Sequence, residues 1–474
     1  MNQFDVAIVG CGPTGATLAN LLGLQGIRTL VIDREADIYP LPRAVHFDDE
    51  VMRVFQTVGI ADDLANQVHI NPGMRFVDEN DEVLLDWPRP QTITEHGWHA
   101  SYRLHQPDLE RLLRKQLRTH PTISEKLNTE AVAIVEGEDN CTLSLRCRET
   151  GNVSEVTASY VVGCDGARSM VRQVIGEGME DLGFHERWLV VDVLLKRPRP
   201  ELGDFTLQFC NPDRPTTYCR SPANRRRWEI TVLENETNEE VQNSDWIWGI
   251  LSRWITTGDA ELERSAVYTF RSAMAQCWRR GRLLIAGDAA HLTPPFMGQG
   301  MCAGIRDAAN LGWKLATVTK QANADLLETY QQERAPHARS YIETAMRLGG
   351  LINSLNREDA LALAASGNEM RSIAPSLGTS IVADTDNVSG NPFAQLTLSD
   401  GRRLDDVVGY QPAILTRLPI EKQSHLHSIC GEEHPEIDAA LSQIGETAIL
   451  LRPDRYVMAV GEPEHLTARW DEVV

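Results

Sequence analysis

The sequence predicts an α/β fold: a parallel sheet wound with helices, an antiparallel sheet inserted into it, and a small α/β appendage at the C-terminal end. Three observations carry this. Residues 4–9 form a near-continuous apolar run that leads through Gly10-Cys11-Gly12-Pro13-Thr14-Gly15 into an Ala/Leu-rich helix. A second apolar run, 28–32, follows and ends on Asp33. Far downstream, the apolar run 283–286 opens onto Gly287-Asp288-Ala289-Ala290-His291-Leu292-Thr293-Pro294-Pro295-Phe296-Met297-Gly298-Gln299-Gly300 and a helix over 301–318. Between them, 189–195, 205–209 and 227–233 read as successive strands without helices, which suits an antiparallel sheet.

The first turn is a Gly-x-Gly-x-x-Gly in a βαβ unit, the dinucleotide-binding arrangement of a Rossmann-like domain. Gly10 permits the tight turn. Gly12 lets the backbone approach a pyrophosphate. Gly15 lets the helix pack closely on the strand. Pro13 and Thr14 open that helix, and Asp33, with Arg34 beside it, is placed to meet the adenosine ribose. The second turn suits a flavin: Asp288 can accept from a ribityl hydroxyl, Pro294-Pro295 stiffens the loop, and a helix start free of bulky side chains can face the negative side of an isoalloxazine. Together the two turns specify FAD.

A net charge of −21 argues against nucleic-acid or anionic-membrane partners. No apolar run approaches a membrane span, and the chain enters its first strand without a charged leader. Nine scattered Cys, without a Cys-x-x-Cys pair, read as reduced thiols of a cytoplasmic protein, and no His/Cys cluster has metal-ligand spacing.

The remaining elements fall into place around these turns. Arg43 to Glu50 leads into an amphipathic helix, with Asp48-Asp49-Glu50 either an acidic helix start or part of the flavin site. Asp108 can cap the helix that follows it. A strand over 160–163 ends at Cys164-Asp165-Gly166-Ala167-Arg168-Ser169, with Arg172 beyond. Residues 325–348 read as a helix kinked near Pro336, and 358–365 as a shorter one. Ala448 to Val457 reads as a strand and hairpin. The expected domains are a cofactor-binding domain over 1–75, 101–178 and 265–345, a substrate domain over 76–100 and 179–264, a helical connector over 346–388, and the appendage over 389–474.

Gly10-x-Gly12-x-x-Gly15, Asp165-Gly166 with Ser169 and Arg172, and Gly287-Asp288 with Pro294-Pro295 stand in one order. That set resembles the single-component FAD-dependent aromatic hydroxylases, the p-hydroxybenzoate hydroxylase superfamily. Pro42-Arg43-Ala44, Asp307 to Ala316 and Glu328 to Arg334 resemble its 3-(3-hydroxyphenyl)propionate hydroxylase branch. The resemblance implies a monooxygenase that uses NAD(P)H and O₂ to hydroxylate a small phenol through a flavin C4a-hydroperoxide. It implies that Asp288 binds the ribityl chain, that Arg43 and Gln106 contact the phosphate or ribityl region, and that Asp165 and Gly166 serve both FAD and NAD(P)H. Backbone amides from Gly298 through Gly300 to Met301 would lie near flavin N1 and the C2 carbonyl, and Pro294 and Pro295 would line the active site. The tail would be a thioredoxin-like domain without thiol chemistry, since Cys430 stands alone, and a homodimer is left open. Epoxidation, Baeyer–Villiger insertion or decarboxylative hydroxylation on the same scaffold, and a flavin-binding regulator without turnover, are the alternatives. The choice between NADH and NADPH is not legible.

The protein must also polarise the phenol. His46 is a candidate base from its intrinsic pKa, against a structural role, and His291 reads as structural. Tyr218, Arg220, Trp228 and Phe296 are candidate substrate contacts, with core packing the alternative for Trp188, Phe209 and Trp228. Arg225-Arg226-Arg227 reads as a solvated turn or an anion contact. Trp246-Ile247-Trp248-Gly249-Ile250 is similar to the signature of flavin-dependent tryptophan halogenases, but Leu251 stands where those enzymes have Pro. Ile247, Ile250, Leu251 and Trp254 instead follow the spacing of a buried helix stripe.

Overall fold

Strand Gln3–Val9 lies between Thr29–Ile32 and Val153–Gly163 in a sheet that continues through Leu283–Ile285, and all four strands run parallel. The chain's structure, a computed structural model, describes residues 3–211, 213–321, 323–354, 374–380, 386–421 and 425–473. Register pairs Val9 with Ile32 and with Gly163, and Gly163 with Ile285. The carboxyl ends of the four strands therefore finish in one row, the edge at which ligands bind in open parallel sheets. Every cofactor motif follows one of these ends. Helix Pro13–Leu24 and helix Gly300–Gln321 pack side by side beneath the sheet. Gly304 allows the contact, since a Cβ there would overlap the Thr14 hydroxyl.

The second sheet has eight strands, in the order His291–Leu292, Ala260–Ala275, Met179–Leu195, Arg225–Thr231, Thr216–Arg220, Thr206–Phe209, Gly73–Val77 and Val83–Pro88. It is antiparallel except where Gly73–Val77 runs parallel to Thr206–Phe209. It reaches beyond the expected domain limits, starting at Gly73 and keeping Ala260–Ala275 paired with Met179–Leu195 along its length. Its outer face is covered by helix Ser244–Leu251, whose Ile247 and Leu251 are fully buried against Tyr218, Trp228 and Phe209. This is the amphipathic helix the spacing predicts.

In the appendage, Ala413–Thr416 pairs parallel with His427–Cys430 and antiparallel with Ala448–Leu451, which pairs with Val457–Gly461. That order, with helices Pro435–Ile444 and Pro463–Val473, is the expected thioredoxin-like arrangement. Among the described residues no helix joins its first two strands. The appendage docks on the cofactor domain through Trp470 against Trp313 and through the Tyr410 hydroxyl, which donates to the Ala309 carbonyl at 2.7 Å.

The helix expected with a kink near Pro336 runs through that proline over Glu328–Ser354, and the Gly378 N–H donates to the Glu333 carbonyl beside it at 3.0 Å. One local expectation changes. Asp108 does not cap: helix Gln106–Leu117 starts after His105, and Asp108 in its first turn accepts from His105 Nδ1 at 2.9 Å. The helix expected over 358–365, and most of the 346–388 connector, lie outside the described residues.

Candidate cofactor cleft and active site

The row of strand ends forms one wall of a cleft. A Cβ on Gly10 would overlap the Cys164 carbonyl, and one on Gly15 would overlap the Gly10 carbonyl, so these two glycines permit close packing of the turns. Gly12 is different: a Cβ there meets nothing within 4 Å. It precedes helix Pro13–Leu24, whose N-terminus has no side-chain cap. Uncapped amides facing open space are an anion site. Asp33 stands beside them, accepting from the Cys11 N–H at 2.7 Å and the Glu35 N–H at 2.8 Å. Arg114, buried, donates to the Cys11 carbonyl at 3.3 Å. Arg34 points outward and pairs with Glu35 at 3.3 Å.

At the far end of the cleft, Gly287 adopts φ +62° against Thr14, and Asp288 follows it. The Asp288 carboxylate is exposed into the cleft and has no hydrogen-bond partner among the described residues. The cleft walls around it still desolvate the carboxyl and hold it above the usual range, against the pull of His291 and Arg43. Between the two ends, Gln106 Oε1 accepts from the Arg43 and Ala44 N–H groups at 3.0 and 2.7 Å, fixing the loop that carries Arg43. Asp165 Oδ2 accepts from the Met170 N–H at 2.7 Å, while its Oδ1 is buried without a partner. Gly166 turns at φ +79°. Arg172 ties this motif to the Asp288 turn by donating to the Ala289 carbonyl at 2.8 Å. The open space at Gly12, the partnerless Asp288 and the orphaned Asp165 oxygen all fit an elongated dinucleotide lying along the cleft.

The Asp288 turn is braced from below. Asp307, fully buried, accepts from the Gly287 N–H at 3.0 Å, pairs with His291 Nε2 at 2.7 Å and binds Arg334 at 3.0 Å. Burial alone would raise its carboxyl; His291 and Arg334 more than offset that and hold it below the usual range. His291 is thus structural, as its position predicts. The Pro-Pro loop is braced from the side. Asp48 caps helix Asp49–Val58 and accepts from Arg306 at 2.7 Å and Gln299 at 3.0 Å. Glu50 accepts from Arg306 at 2.5 Å and from the Tyr456 hydroxyl at 2.6 Å. The acidic run therefore caps a helix and also clamps the turn before Gly300 and Met301. Arg306 and Gln299 were missed in the sequence; their buried polar positions on an otherwise apolar helix start were the available signal.

Next to the cleft lies a pocket enclosing about 680 Å³ of atom-free space, part of it open to solvent. One wall is Pro295, Phe296, Met297 and Gly298, with His46 beneath them; Pro294 is buried behind. Phe296 stacks edge-on against Phe184 and Trp188, with centroids 5.5 and 5.9 Å away. The opposite wall is the inner face of the second sheet: Thr206, Gln208, Thr217, Cys219 and Glu229. Tyr218 and Trp228 face the other way. They stack at 5.1 Å in the outer core with Trp254, and Arg220 on the same face pairs with Asp204. Side chains alternate across a strand, so each of these three lies one residue from a pocket residue, whereas Phe296 lines the pocket itself. Phe209 also packs in that outer core, and Trp188 backs Phe296.

His46 lines the pocket, its ring held from both sides. Its Nε2 lies 2.8 Å from the Ser101 hydroxyl, which also accepts from the Asn71 amide. Its Nδ1 lies 3.4 Å from the Gly298 carbonyl. Burial, then the charge of Arg103, push its pKa down to about 3. It is a neutral strut under Gly298, where a Cβ would collide with its ring. Arg227 corrects the reading of a solvated turn. It is 2% exposed, pairs with Asp192 at 2.7 Å, and donates to the Pro42 and Arg43 carbonyls at 2.8 and 2.9 Å. It thereby pins the Arg43 loop to the substrate sheet.

A cleft built from two glycine turns, with a polar pocket across the second, defines a flavoprotein of the dinucleotide-binding class. The chain belongs to the FAD binding domain family, whose model matches residues 3–345. It is 42% identical over 363 residues to a probable NADH-specific resorcinol 4-hydroxylase of Rhodococcus jostii (strain RHA1), covering 76% of this chain and 67% of that protein. It is 38% identical over 358 residues to a 3-(3-hydroxy-phenyl)propionate/3-hydroxycinnamic acid hydroxylase of Burkholderia cenocepacia (strain HI2424), covering 75% of this chain and 65% of that protein. The matched region thus spans about two thirds of these relatives. The fold is that of aklavinone-11 hydroxylase bound to FAD and aklavinone, with TM-score 0.83, 22% identity and coverage of 99% and 98% of the two chains. The rebeccamycin biosynthetic enzyme RebC with reduced flavin gives TM-score 0.83 at 21% identity, covering 99% of each chain. Among the described residues no helix is long and apolar enough to cross a membrane, and no group of three metal-ligating side chains occurs.

Proposed function

We propose that this chain is a monooxygenase that hydroxylates a small phenolic molecule, using NAD(P)H and O₂ with bound FAD. The observation that carries this reading is the pocket itself: its wall is the Pro295–Gly298 loop that also borders the cofactor cleft, so a ring held there lies against the cofactor. When bound, FAD would supply the two-electron redox chemistry that couples oxidation of NAD(P)H to transfer of one atom of O₂ to the ring, the other atom being released as water. The chain's residues hold and orient. The amides at Gly12 and Pro13's helix take the pyrophosphate, Asp33 the adenosine ribose, Asp288 the ribityl chain, and the helix start at Gly300 and Met301 the negative end of the flavin. Asp165 and Gly166 border the cleft where the nicotinamide cofactor would approach. Phe296, Met297, Trp87 and Met74 exclude water from the reacting edge, which suppresses unproductive peroxide release. Gln208 and Thr217, joined at 2.5 Å, and Asn71 offer polar atoms to a phenolic hydroxyl. Glu229 faces the same space, its carboxyl pushed above the usual range by burial despite Arg227. His46, its pKa pushed down to about 3 by burial, is less suited to take a proton, and Glu229 is the group we assign to accept the phenolic proton. The name of the Rhodococcus relative favours NADH as the reductant.

The test is stopped-flow reduction of the FAD-loaded protein by NADH and by NADPH, with and without resorcinol or 3-(3-hydroxyphenyl)propionate, followed by mass spectrometry under ¹⁸O₂. The expected result is phenol-stimulated flavin reduction and a product heavier by one labelled oxygen. Reduction that no phenol accelerates, with peroxide as the sole oxygen product, would remove the hydroxylase reading and favour a regulator.

A further inference from the structure

Helix Glu328–Ser354 carries two adjacent glycines, Gly349 and Gly350. Apart from proline, glycine is the costliest residue in a helix interior, so its presence there marks a constraint. The helix buries Ala338, Ile342 and Ala345, three or four residues apart on one stripe, with Leu348 beside them. Gly349 continues that stripe and is buried, whereas Gly350 falls off it and is exposed. Where the pattern asks for an apolar side chain, the helix has none.

Phe296 occupies that gap. A Cβ on Gly349 would overlap Phe296 Cε2 and lie 2.9 Å from Cδ2 and 3.1 Å from Cζ, whereas one on Gly350 meets nothing within 4 Å. Gly349 is therefore a notch that receives one edge of the Phe296 ring. The ring lines the pocket; Gly349 does not. Phe184 and Trp188 hold the ring edge-on at 5.5 and 5.9 Å, and Leu348 packs in the same cluster. The other end of the loop is held the same way, with Gly298 seated against the His46 ring. With protein packed on those sides, the room left to a displaced ring is the pocket itself. An alanine at 349 would drive the nearest ring carbons back towards the 3.4 Å at which ordinary contact begins. A close-packed interior does not absorb an added methyl without such a shift.

We propose that Gly349 is a specificity-determining residue: by seating Phe296 it keeps the pocket deep enough for a phenol that carries a carbon chain. A helix that gives up a side chain to deepen a cavity gains nothing from a ligand too short to reach the added depth. Gly349 acts through Phe296 and touches no substrate, so its role is positioning. The discrimination is by length and is indifferent to the charge of the chain. This rests on the hydroxylase reading for what occupies the pocket.

The test uses FAD-loaded protein and a neutral series: resorcinol, 4-ethylresorcinol and 4-butylresorcinol. Binding is read from the flavin absorbance change, and KM and kcat from NADH consumption with product analysis. The wild-type protein is expected to bind the butyl compound at least as tightly as resorcinol. Gly349→Ala should weaken the butyl compound about tenfold and resorcinol by less than about threefold, the change falling on KM rather than kcat. Adding Phe296→Leu to Gly349→Ala should restore most of the lost ratio, because the shorter side chain vacates the notch. Phe296→Leu alone should shift preference the opposite way, towards the longer chain, and this arm stands even if Gly349→Ala fails to load FAD. Gly350→Ala should keep the wild-type order. Equal loss of all three ligands in Gly349→Ala, or the same loss in Gly350→Ala, is the signature of a merely structural role and overturns the proposal. So does a wild-type protein that takes resorcinol and rejects the butyl compound. A length-dependent loss without hydroxylated product leaves the notch standing and removes the hydroxylase reading. Hydroxylation of all three with an unshifted series in Gly349→Ala does the reverse, and a wild-type protein that binds none of them removes both.

Discussion

The cofactor cleft and the substrate pocket share a wall, yet they are built on different rules. In the cleft, backbone geometry dictates residue type. Gly10 turns at φ +105° against the Cys164 carbonyl, and Gly15 has no room for a Cβ. In the pocket, strand parity dictates which side chains enter. Thr217, Cys219 and Glu229 face the cavity, while Tyr218 and Trp228 between them face helix Ser244–Leu251. The first kind of site is specified by what the chain cannot do elsewhere, the second by a one-residue choice of register.

The strongest challenge to that comparison is a pair of glycine substitutions. Gly10→Val is expected to yield no soluble yellow protein, because it adds both a left-handed strain and an overlap with backbone. Gly12→Val should fold, with a melting temperature matching wild-type apoprotein, and yet bind no FAD, because its side chain enters open space at φ −74°. Circular dichroism melts and flavin absorbance separate the two; a yellow Gly12→Val protein would break the pyrophosphate assignment. Asp288→Ala should fold but lose much of its FAD on gel filtration, and full retention would contradict the ribityl role.

The two faces of the sheet give the next contrast. Trp228→Ala should cost about 3–5 kcal/mol of stability as a large core deletion. Thr217→Val should cost less, about 1–3 kcal/mol, by leaving the buried Gln208 oxygen without its donor, and shift KM several-fold. Denaturant titration and steady-state kinetics read both, and a reversed pattern would mean that the face assignment is wrong.

The smallest effect concerns His46. Its folded pKa of about 3 lies below the 6.5 of an unfolded chain, so between those values the unfolded state binds the extra proton. Its contribution to stability is present above pH 6.5 and lost as pH falls, with a slope of at most about 1.4 kcal/mol per pH unit. His46→Gln should flatten the fall in melting temperature between pH 6.5 and 4.5. An unchanged slope would mean that the imidazole titrates normally, reopening its role as a base.

What the sequence made legible follows the same division. Both glycine turns, Asp33, Asp288 and the Asp165-Gly166 motif fall at the ends of adjacent parallel strands, because local patterns there report backbone needs. For the tail, local pattern gave only a small α/β appendage, and its thioredoxin-like character came from the resemblance. Tyr218, Arg220 and Trp228 were assigned to the pocket because aromatic and cationic side chains suit phenols; nothing local fixes which face of a strand meets a ligand and which meets a helix. A stripe at Ile247 and Leu251 seeking a partner was the clue to the outer face. Arg306 escaped notice because its significance comes from a contact over a long sequence distance, with Glu50, 256 residues away.

The ties from Tyr456 through Glu50 and Arg306 to Gln299 make the tail a keel for the flavin's helix rather than cargo. Trimming it, or exchanging it for a relative's, would leave two acids and a guanidinium to find new anchors under the isoalloxazine. The cost would register as an altered flavin midpoint potential and, in the trimmed protein, as lost stability too, because Arg452 of the tail pairs with the fully buried Glu333.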